Sequence, residues 1–381
     1  MMYELIAPCH FGMEAVLKRE IIDLGYDIVK VEDGKVHFWG DEDAICRANV
    51  FLRTPERILI KCAEFYARSF EELFDETEKV DWSQYIPSDA KFWVAKAASV
   101  NSKLFSPSDI QSIIKKAMVK SLQKVYGIEW FSETGASYPF RVSIMKDKVT
   151  IGLDTTGESL HKRGYRKLVS KAPVAENLAA AMIMLTPWRG DRILVDPFCG
   201  CGTIPIEAAM MAANIAPGMN REFISENYDN LIKRKYWYDV LDEANDLVNM
   251  NVETDIQGFD IDGDIIKCAR QNAEAAGVDK LIHFQKRPVA ELNHPKKYGF
   301  IITNPPYGER IGDNDILPQL YTELSEGYKR LDSFSAYIIT AYQDVEKYMG
   351  RKADKNRKIY NGMMKTYYYQ FLGPKPPKRT P

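Results

Sequence analysis

The sequence predicts an α/β protein: a mostly parallel sheet in the C-terminal part of the chain, preceded by smaller α+β units. Three observations predict it. From about Ala172 onward, strand-length apolar runs alternate with amphipathic helical stretches, the pattern of parallel strands joined by crossover helices. The first of these strands passes through a glycine-rich turn, Val195 to Thr203, into a helix. Ahead of Ala172 the strand patterns are short and close together, with a hairpin signal and isolated helices between them.

The elements follow in order. Tyr3–Ala7 reads as a strand, and Met13, Val16, Leu17, Ile21 and Leu24 fall at helical spacing up to a stop at Gly25. Ile28–Val31, the Asp33-Gly34 turn and Lys35–Trp39 read as a hairpin, followed by a helix from Asp41 to Phe51; together they fill a unit of residues 1–56. A second unit, 57–156, carries strands at Ile58–Tyr66, Phe92–Val100, Phe140–Met145 and Val149–Leu153. Its clearest element is a helix with a capped start at Ser106-Pro107-Ser108-Asp109 and an apolar face running from Ile110 through Ile113, Ile114, Ala117, Met118 and Leu122 to Val125. Residues 157–171 form a linker. The parallel part, 172–373, has strands at Arg192–Val195, Ile256–Phe259, Leu281–Gln285, Phe300–Thr303 and Ala336–Thr340. Its helices are Thr203–Ala213, Gly263–Ala276 and Leu317–Leu331, with a long helical insertion at Glu222–Asn251. Lys358–Tyr360 and Tyr367–Leu372 close it as a hairpin across an Asn361-Gly362 turn, and 374–381 read as a flexible basic tail.

Composition excludes several classes. With 381 residues, 45% of them hydrophobic, the chain can build two or three cores and needs no disulfide scaffold. No apolar run approaches the roughly 20 residues of a spanning helix, and the first residues lack a basic-then-apolar leader, so a cytoplasmic protein is expected. Six cysteines, most of them in apolar surroundings, suit buried thiols in a reducing compartment. Charge is uneven along the chain: residues 1–90 hold 10 Lys+Arg against 19 Asp+Glu, net −9, whereas 91–171 hold 15 against 6, net +9. The basic middle block is a candidate footprint for a polyanion.

Three motifs carry chemistry. In Asp196-Pro197-Phe198-Cys199-Gly200-Cys201-Gly202-Thr203 the alternate glycines let the backbone approach a nucleotide-like ligand, and the carboxylate at the strand's end can bind a cationic group. Cys199 and Cys201 lack partner His/Cys residues, so no metal site is expected. In Gly258-Phe259-Asp260-Ile261-Asp262, Asp260 is placed to accept ribose hydroxyls and Asp262 to cap the next helix. In Asn304-Pro305-Pro306-Tyr307-Gly308-Glu309-Arg310 two prolines end the strand and stiffen a loop beside an amide and an aromatic ring. That set fits an exocyclic base amine: Asn304 Oδ1 and the Pro305 carbonyl can accept its two protons, and Tyr307 can stack on a flipped base.

Together these three motifs resemble those of the class I S-adenosylmethionine-dependent methyltransferases acting on exocyclic amino groups. Leu160-His161-Lys162-Arg163-Gly164-Tyr165-Arg166 and the stretch from Ala172 to Ala180 are similar to the segment preceding the catalytic domain in THUMP-containing RNA methyltransferases. Asn304 to Arg310 favours their bacterial branch, the guanine-N2 methyltransferases of large-subunit ribosomal RNA. The resemblance implies a Rossmann-like, seven-stranded catalytic domain with a reversed last hairpin strand, preceded by a ferredoxin-like unit and a THUMP module. It implies S-adenosylmethionine as cofactor, S-adenosylhomocysteine as product, and RNA, ribosomal in origin, as partner. The implied cofactor contacts are Glu176, Asp196, Phe198, Gly200, Gly202, Thr203, Asp260, Ile261 and Asn304; the target amine falls to Asn304, Pro305, Pro306 and Tyr307. RNA contacts are expected at Lys115, Lys116 and Lys120, and next at Lys162, Arg163 and Arg166. One departure is visible: after the third strand, where the family often has an acid for the adenine amine, this chain has Lys286-Arg287-Pro288. Two other readings stay open. Asn-Pro-Pro-Tyr is shared with adenine-N6 DNA methyltransferases, and a THUMP-type module also suits a non-catalytic RNA-binding assembly protein.

Overall fold

The computed structural model describes residues 1–166, 174–308, 313–361 and 364–377. In the N-terminal half the chain runs β1 (Tyr3–Pro8), α1 (Glu14–Asp23), β2 (Ile28–Glu32), β3 (Lys35–Gly40), α2 (Glu42–Phe51), β4 (Leu59–Tyr66), α3 (Phe70–Glu78), β5 (Lys91–Val100), α4 (Pro107–Tyr126), β6 (Ser137–Met145) and β7 (Lys148–Asp154). These strands form one sheet in the order β2-β3-β1-β4-β7-β6-β5. The two α+β units therefore share a sheet. β4 joins them, pairing with β1 at Leu5↔Ile60 and Ile6↔Leu59 and with β7 from Leu59 to Tyr66. β5 and β6 are parallel, which requires a crossover, and α4 supplies it.

Two details of this half differ from the sequence reading. Ser106 sits at the N-cap of α4 without a side-chain capping bond, so the start rests on Pro107 in the first turn, and Gly127 ends the helix in the left-handed region. Val125, assigned to the apolar face, is exposed. The sequence reading also passed over α3. Ser69 caps it by accepting from Glu72 N at 3.2 Å, yet it buries only Leu73 and Thr77, too few positions to make a period.

The C-terminal half contains α5 (Glu176–Met184), β8 (Ile193–Asp196), α6 (Thr203–Ala212), α7 (Arg234–Asp246), β9 (Asp255–Asp260), α8 (Gly263–Ala275), β10 (Ile282–Lys286), β11 (Phe300–Thr303), α9 (Asp313–Arg330), β12 (Ser335–Thr340), α10 (Val345–Met349), β13 (Lys355–Asn361) and β14 (Met364–Phe371). Its sheet order is β10-β9-β8-β11-β12-β14-β13, parallel from β10 to β12, with β14 antiparallel between β12 and β13. The reversed strand is thus where the resemblance puts it; the expected turn at Asn361-Gly362 falls at Gly362, outside the described residues. The helical insertion is α-helical only over Arg234–Asp246, with a single 3-10 turn at Ile224–Asn227 before it. Much of its remainder packs instead against the N-terminal sheet: Tyr228 stacks on Tyr138 with ring centroids 4.3 Å apart and donates to Asp154 O at 2.8 Å.

The expected linker is strapped down over 157–166. Arg221 donates to Ser159 O, Lys162 O and Glu158 O at 2.8, 3.0 and 2.5 Å. One hydrophobic core consequently runs from β1 to β14 through both halves, with a second on the other face of the parallel sheet. Among the described residues no helix is long and apolar enough to cross a membrane.

Candidate active site

β8 lies between β9 and β11, so the chain reverses its direction of travel across the sheet there, and a crevice opens at the carboxyl ends of these three strands. Asp196, Asp260 and Asn304 stand at those three ends. The glycine turn is fixed by its own hydrogen bonds: Cys199 N donates to Phe259 O at 2.9 Å and Gly202 N to Cys199 O at 2.8 Å. Gly202 has φ +88°, and a Cβ there would lie 2.9 Å from Phe284, so the turn requires glycine. Gly200 N donates to Asp260 Oδ2 at 3.1 Å, which ties the glycine turn to the second strand's acid.

Asp196 is buried, and its Oδ1 accepts from Phe198 N at 3.1 Å and Thr303 Oγ1 at 2.6 Å. Burial pushes its pKa up to about 7, the two hydrogen bonds opposing and the nearby Asp260 adding to the rise. Burial also raises Asp260, against the amide donors of Asp262 and Gly200. Two neighbouring acids with elevated pKa and no cation at hand among the described residues make a site for a positively charged ligand. Ile261 beside them is 70% exposed, an apolar side chain left in solvent at the lip. Asp262 caps α8, as expected, accepting from Asp264 N at 2.8 Å. Thr203 is buried at the start of α6 and Phe198 is half-buried in the turn.

On β11 the loop Asn304–Gly308 begins with a half-buried Asn304 whose Oδ1 is buried with no hydrogen-bond partner among the described residues. Leaving such an acceptor unpaired costs about 1–3 kcal/mol, an expense that a ligand N–H removes. Pro305 is buried, Pro306 exposed and Tyr307 half-buried, while Glu309 and Arg310 lie outside the described residues. The sequence reading missed two residues here. Thr303 holds the Asp196 carboxylate, and the buried Tyr321 of α9 holds the loop, its Oη donating to Pro306 O at 3.3 Å and lying 2.7 Å from Thr340 Oγ1. Thr303 adjoins the motif and could have been suspected; Tyr321 acts across the fold without a local signal.

Glu176 is buried in the first turn of α5, 3.1 Å from Arg166 Nη2, and no direct contact links it to Asp196 or Asp260 among the described residues. Burial carries it up to about 7 despite Arg166. Arg166 also donates to Val174 O at 2.8 Å, so its charge is committed inside the protein. Arg163 corrects the sequence reading outright. It is 3% exposed, donates to Leu160 O and Arg53 O at 2.5 Å each, and approaches the fully buried Glu207 at 3.5 Å, so it cannot meet RNA. Lys162 is exposed and paired with Glu158 at 2.6 Å. On α4, Lys115 pairs with Glu133 at 3.4 Å and Lys120 with Glu78 at 3.5 Å, whereas Lys116 has no such partner among the described residues. After β10, Arg287 lies 5.0 Å over the Phe259 ring and donates to Asn293 Oδ1 at 2.8 Å.

A parallel sheet with its seventh strand reversed, opening at β8 between two acids and an unpaired amide, is the architecture of the class I methyltransferases. Residues 163–370 match the RMKL-like methyltransferase domain, 4–59 the RlmL ferredoxin-like domain and 67–154 the THUMP domain. The chain belongs to the RMKL-like methyltransferase family. It is 44% identical to YpsC of Bacillus subtilis over 99% of this chain and 98% of that protein. It is 32% identical to ribosomal RNA large subunit methyltransferase K/L of Shewanella woodyi over 95% of this chain, and spans only 52% of that longer relative. Among solved structures it is similar to a Clostridium difficile 630 protein (51% identity, TM-score 0.96, full coverage of both chains). It is also similar to a Listeria monocytogenes protein described as an N6-adenine-specific DNA methylase (45%, 0.92, 98% of this chain and 97% of that one). A third is SMU.472 in complex with S-adenosylhomocysteine (41%, 0.92, 99% of each chain).

The enzyme is therefore an S-adenosylmethionine-dependent methyltransferase, and its residues fit that cofactor: the glycine turn admits a nucleoside closely, and the two elevated acids beside it suit a cation. The elevated acids give this binding a pH signature. A cation bound beside Asp196 would favour its ionised carboxylate, so binding there would release protons below about pH 7. S-adenosylmethionine affinity is expected to rise with pH toward about 7 and level off above it, measured by calorimetry in buffers of differing ionisation enthalpy. The unliganded fold carries the opposite trend. Its penalty for burying Asp196 and Glu176 ionised is absent below about pH 4 and fully developed above about pH 7, so stability falls across that window. A flat affinity profile from pH 5 to 8 would remove Asp196 from the cation site.

Proposed function

We propose that the chain methylates an exocyclic amino group of a base in RNA, specifically guanine N2 of large-subunit ribosomal RNA. The observation that carries the exocyclic amine is the buried, unpaired Asn304 Oδ1 at the end of β11, followed by a stiff two-proline loop. When bound, the cofactor supplies a methyl carbon on a positively charged sulfur. Asn304 Oδ1 and the Pro305 carbonyl accept the two N–H bonds of the amine, which aims its lone pair away from the loop, and Tyr307 stacks on the base. Positioning and exclusion of water then supply the rate without a strong general base. The THUMP module and the names given to the Bacillus and Shewanella relatives, which describe an RNA methyltransferase and a ribosomal RNA large subunit methyltransferase, support RNA as the substrate.

A second reading, adenine N6 of DNA, is favoured by the description of the Listeria structure and by the motif itself, which specifies an exocyclic amine before it specifies guanine. One experiment separates them. Labelled S-adenosylmethionine is incubated with the protein and RNA or DNA from cells lacking the gene, and the nucleosides are resolved. N2-methylguanosine supports the proposal, and N6-methyladenine in DNA replaces it with the second reading. Cofactor binding without transfer to either would leave an RNA-binding assembly role.

A further inference from the structure

A cleft of about 600 Å³ opens on the N-terminal sheet, between the β2–β3 hairpin and strands β4 to β7. On β5, Phe92, Val94 and Ala97 are buried, whereas Lys96 and Ala98 are exposed and line the cleft. Part of its lining is Arg57 and Arg141, which share one buried carboxylate, Asp154, at 2.6 and 2.8 Å. Two guanidiniums on one carboxylate leave net positive charge. Lys96 lies at the level of Arg141 on the adjacent strand, and Lys146 stands at the β6–β7 turn. Neither lysine pairs with a carboxylate among the described residues, in contrast to Lys115 and Lys120 of α4. Next to that turn Tyr66, opposite Lys148 in the register, also lines the cleft and is 65% exposed.

The acids of the cleft do not cancel this line of charge. Glu32 and Glu64 are held by Lys35 at 2.9 Å and Lys148 at 2.8 Å. Asp33 and Glu56 lie at the opposite end, where Asp33 sits in the β2–β3 turn and Glu56 N donates to Pro8 O. Unpaired cations leading to an exposed ring suit a polyanion whose bases are free to stack, which a duplex does not offer.

We infer that this cleft holds a single-stranded segment of the RNA substrate, with phosphates on Arg141, Lys96 and Lys146 and a base stacked on Tyr66. The inference rests on the RNA reading of the active site. Such contacts grip and orient the substrate and carry no base code, leaving base choice to the Asn304 loop.

The test uses the full chain and a short labelled oligoadenylate, followed by fluorescence anisotropy across a salt series. S-adenosylhomocysteine calorimetry on every variant confirms folding. Lys96→Glu with Lys146→Glu is expected to lower affinity at least about tenfold and to flatten the log–log salt slope by about 0.7 for each phosphate no longer neutralised. Tyr66→Ala is expected to lower affinity at least about fivefold with the slope unchanged, because stacking releases no counterions, and Tyr66→Phe to bind as wild type. Unchanged affinity in both cleft variants overturns the inference, as does a loss confined to Lys115→Glu/Lys116→Glu/Lys120→Glu. Tighter binding of the oligodeoxyadenylate overturns it in favour of DNA. A wild-type chain that methylates RNA without binding the oligomer overturns the cleft and spares the activity; one that neither methylates nor binds RNA overturns both.

Discussion

Asn304→Ala is expected to lower kcat for methyl transfer to RNA by at least about 10²-fold, while S-adenosylhomocysteine affinity stays within a few fold of wild type. The side-chain oxygen is a buried acceptor left without a partner among the described residues, so its value is realised only when an amine arrives. Alanine removes the acceptor and lets the amine rotate its lone pair out of line with the methyl carbon. Asn304→Asp keeps an acceptor but introduces a charge into a partly buried position, and is expected to recover only part of the loss. Tyr307→Ala should leave more activity, losing stacking worth ~1–3 kcal/mol. Single-turnover assays at saturating cofactor measure all three. Wild-type turnover in Asn304→Ala with intact RNA would sink the mechanism.

The order of elements and the motif positions were legible because each rests on local chemistry. Glycine at Gly200 and Gly202, the acid at Asp260 and the prolines after Asn304 each announce a turn or strand end within a few residues, and the structure brings Asp196, Asp260 and Asn304 to one sheet edge. What local pattern cannot carry is the identity of long-range partners. Tyr321 reaches Pro306 from α9, and Thr155 receives Asn49 across the whole THUMP unit at 2.9 Å. Charge misled for the same reason. Lys162, Arg163 and Arg166 read as a basic cluster in sequence, yet two of the three are spent on interior partners, and Lys120 and Lys115 of α4 face carboxylates on α3 and on the loop that follows α4. The unpaired cations of the sheet cleft come from β5 and from the distant β6–β7 turn, which only the fold assembles.

Arg163→Ala is expected to destabilise the fold by about 3–5 kcal/mol, the cost of leaving a buried charge without its partner. The side chain ties three segments together: its guanidinium donates to Leu160 O and Arg53 O, and stands 3.5 Å from Glu207, which also receives Tyr165 Oη at 3.1 Å. Glu207 is fully buried on α6, the helix that follows the glycine turn, so Arg163 ties the N-terminal units to that edge of the parallel sheet. Arg53, whose own charge feels Glu207, remains in the variant and holds the loss toward the lower figure. Adding Glu207→Gln to Arg163→Ala removes the uncompensated carboxylate, so the double variant should unfold at higher urea than Arg163→Ala alone. Urea titrations followed by tryptophan fluorescence measure both. If Arg163 were instead a phosphate contact, the single variant would keep wild-type stability and lose RNA affinity with a shallower salt slope, and the double variant would gain nothing.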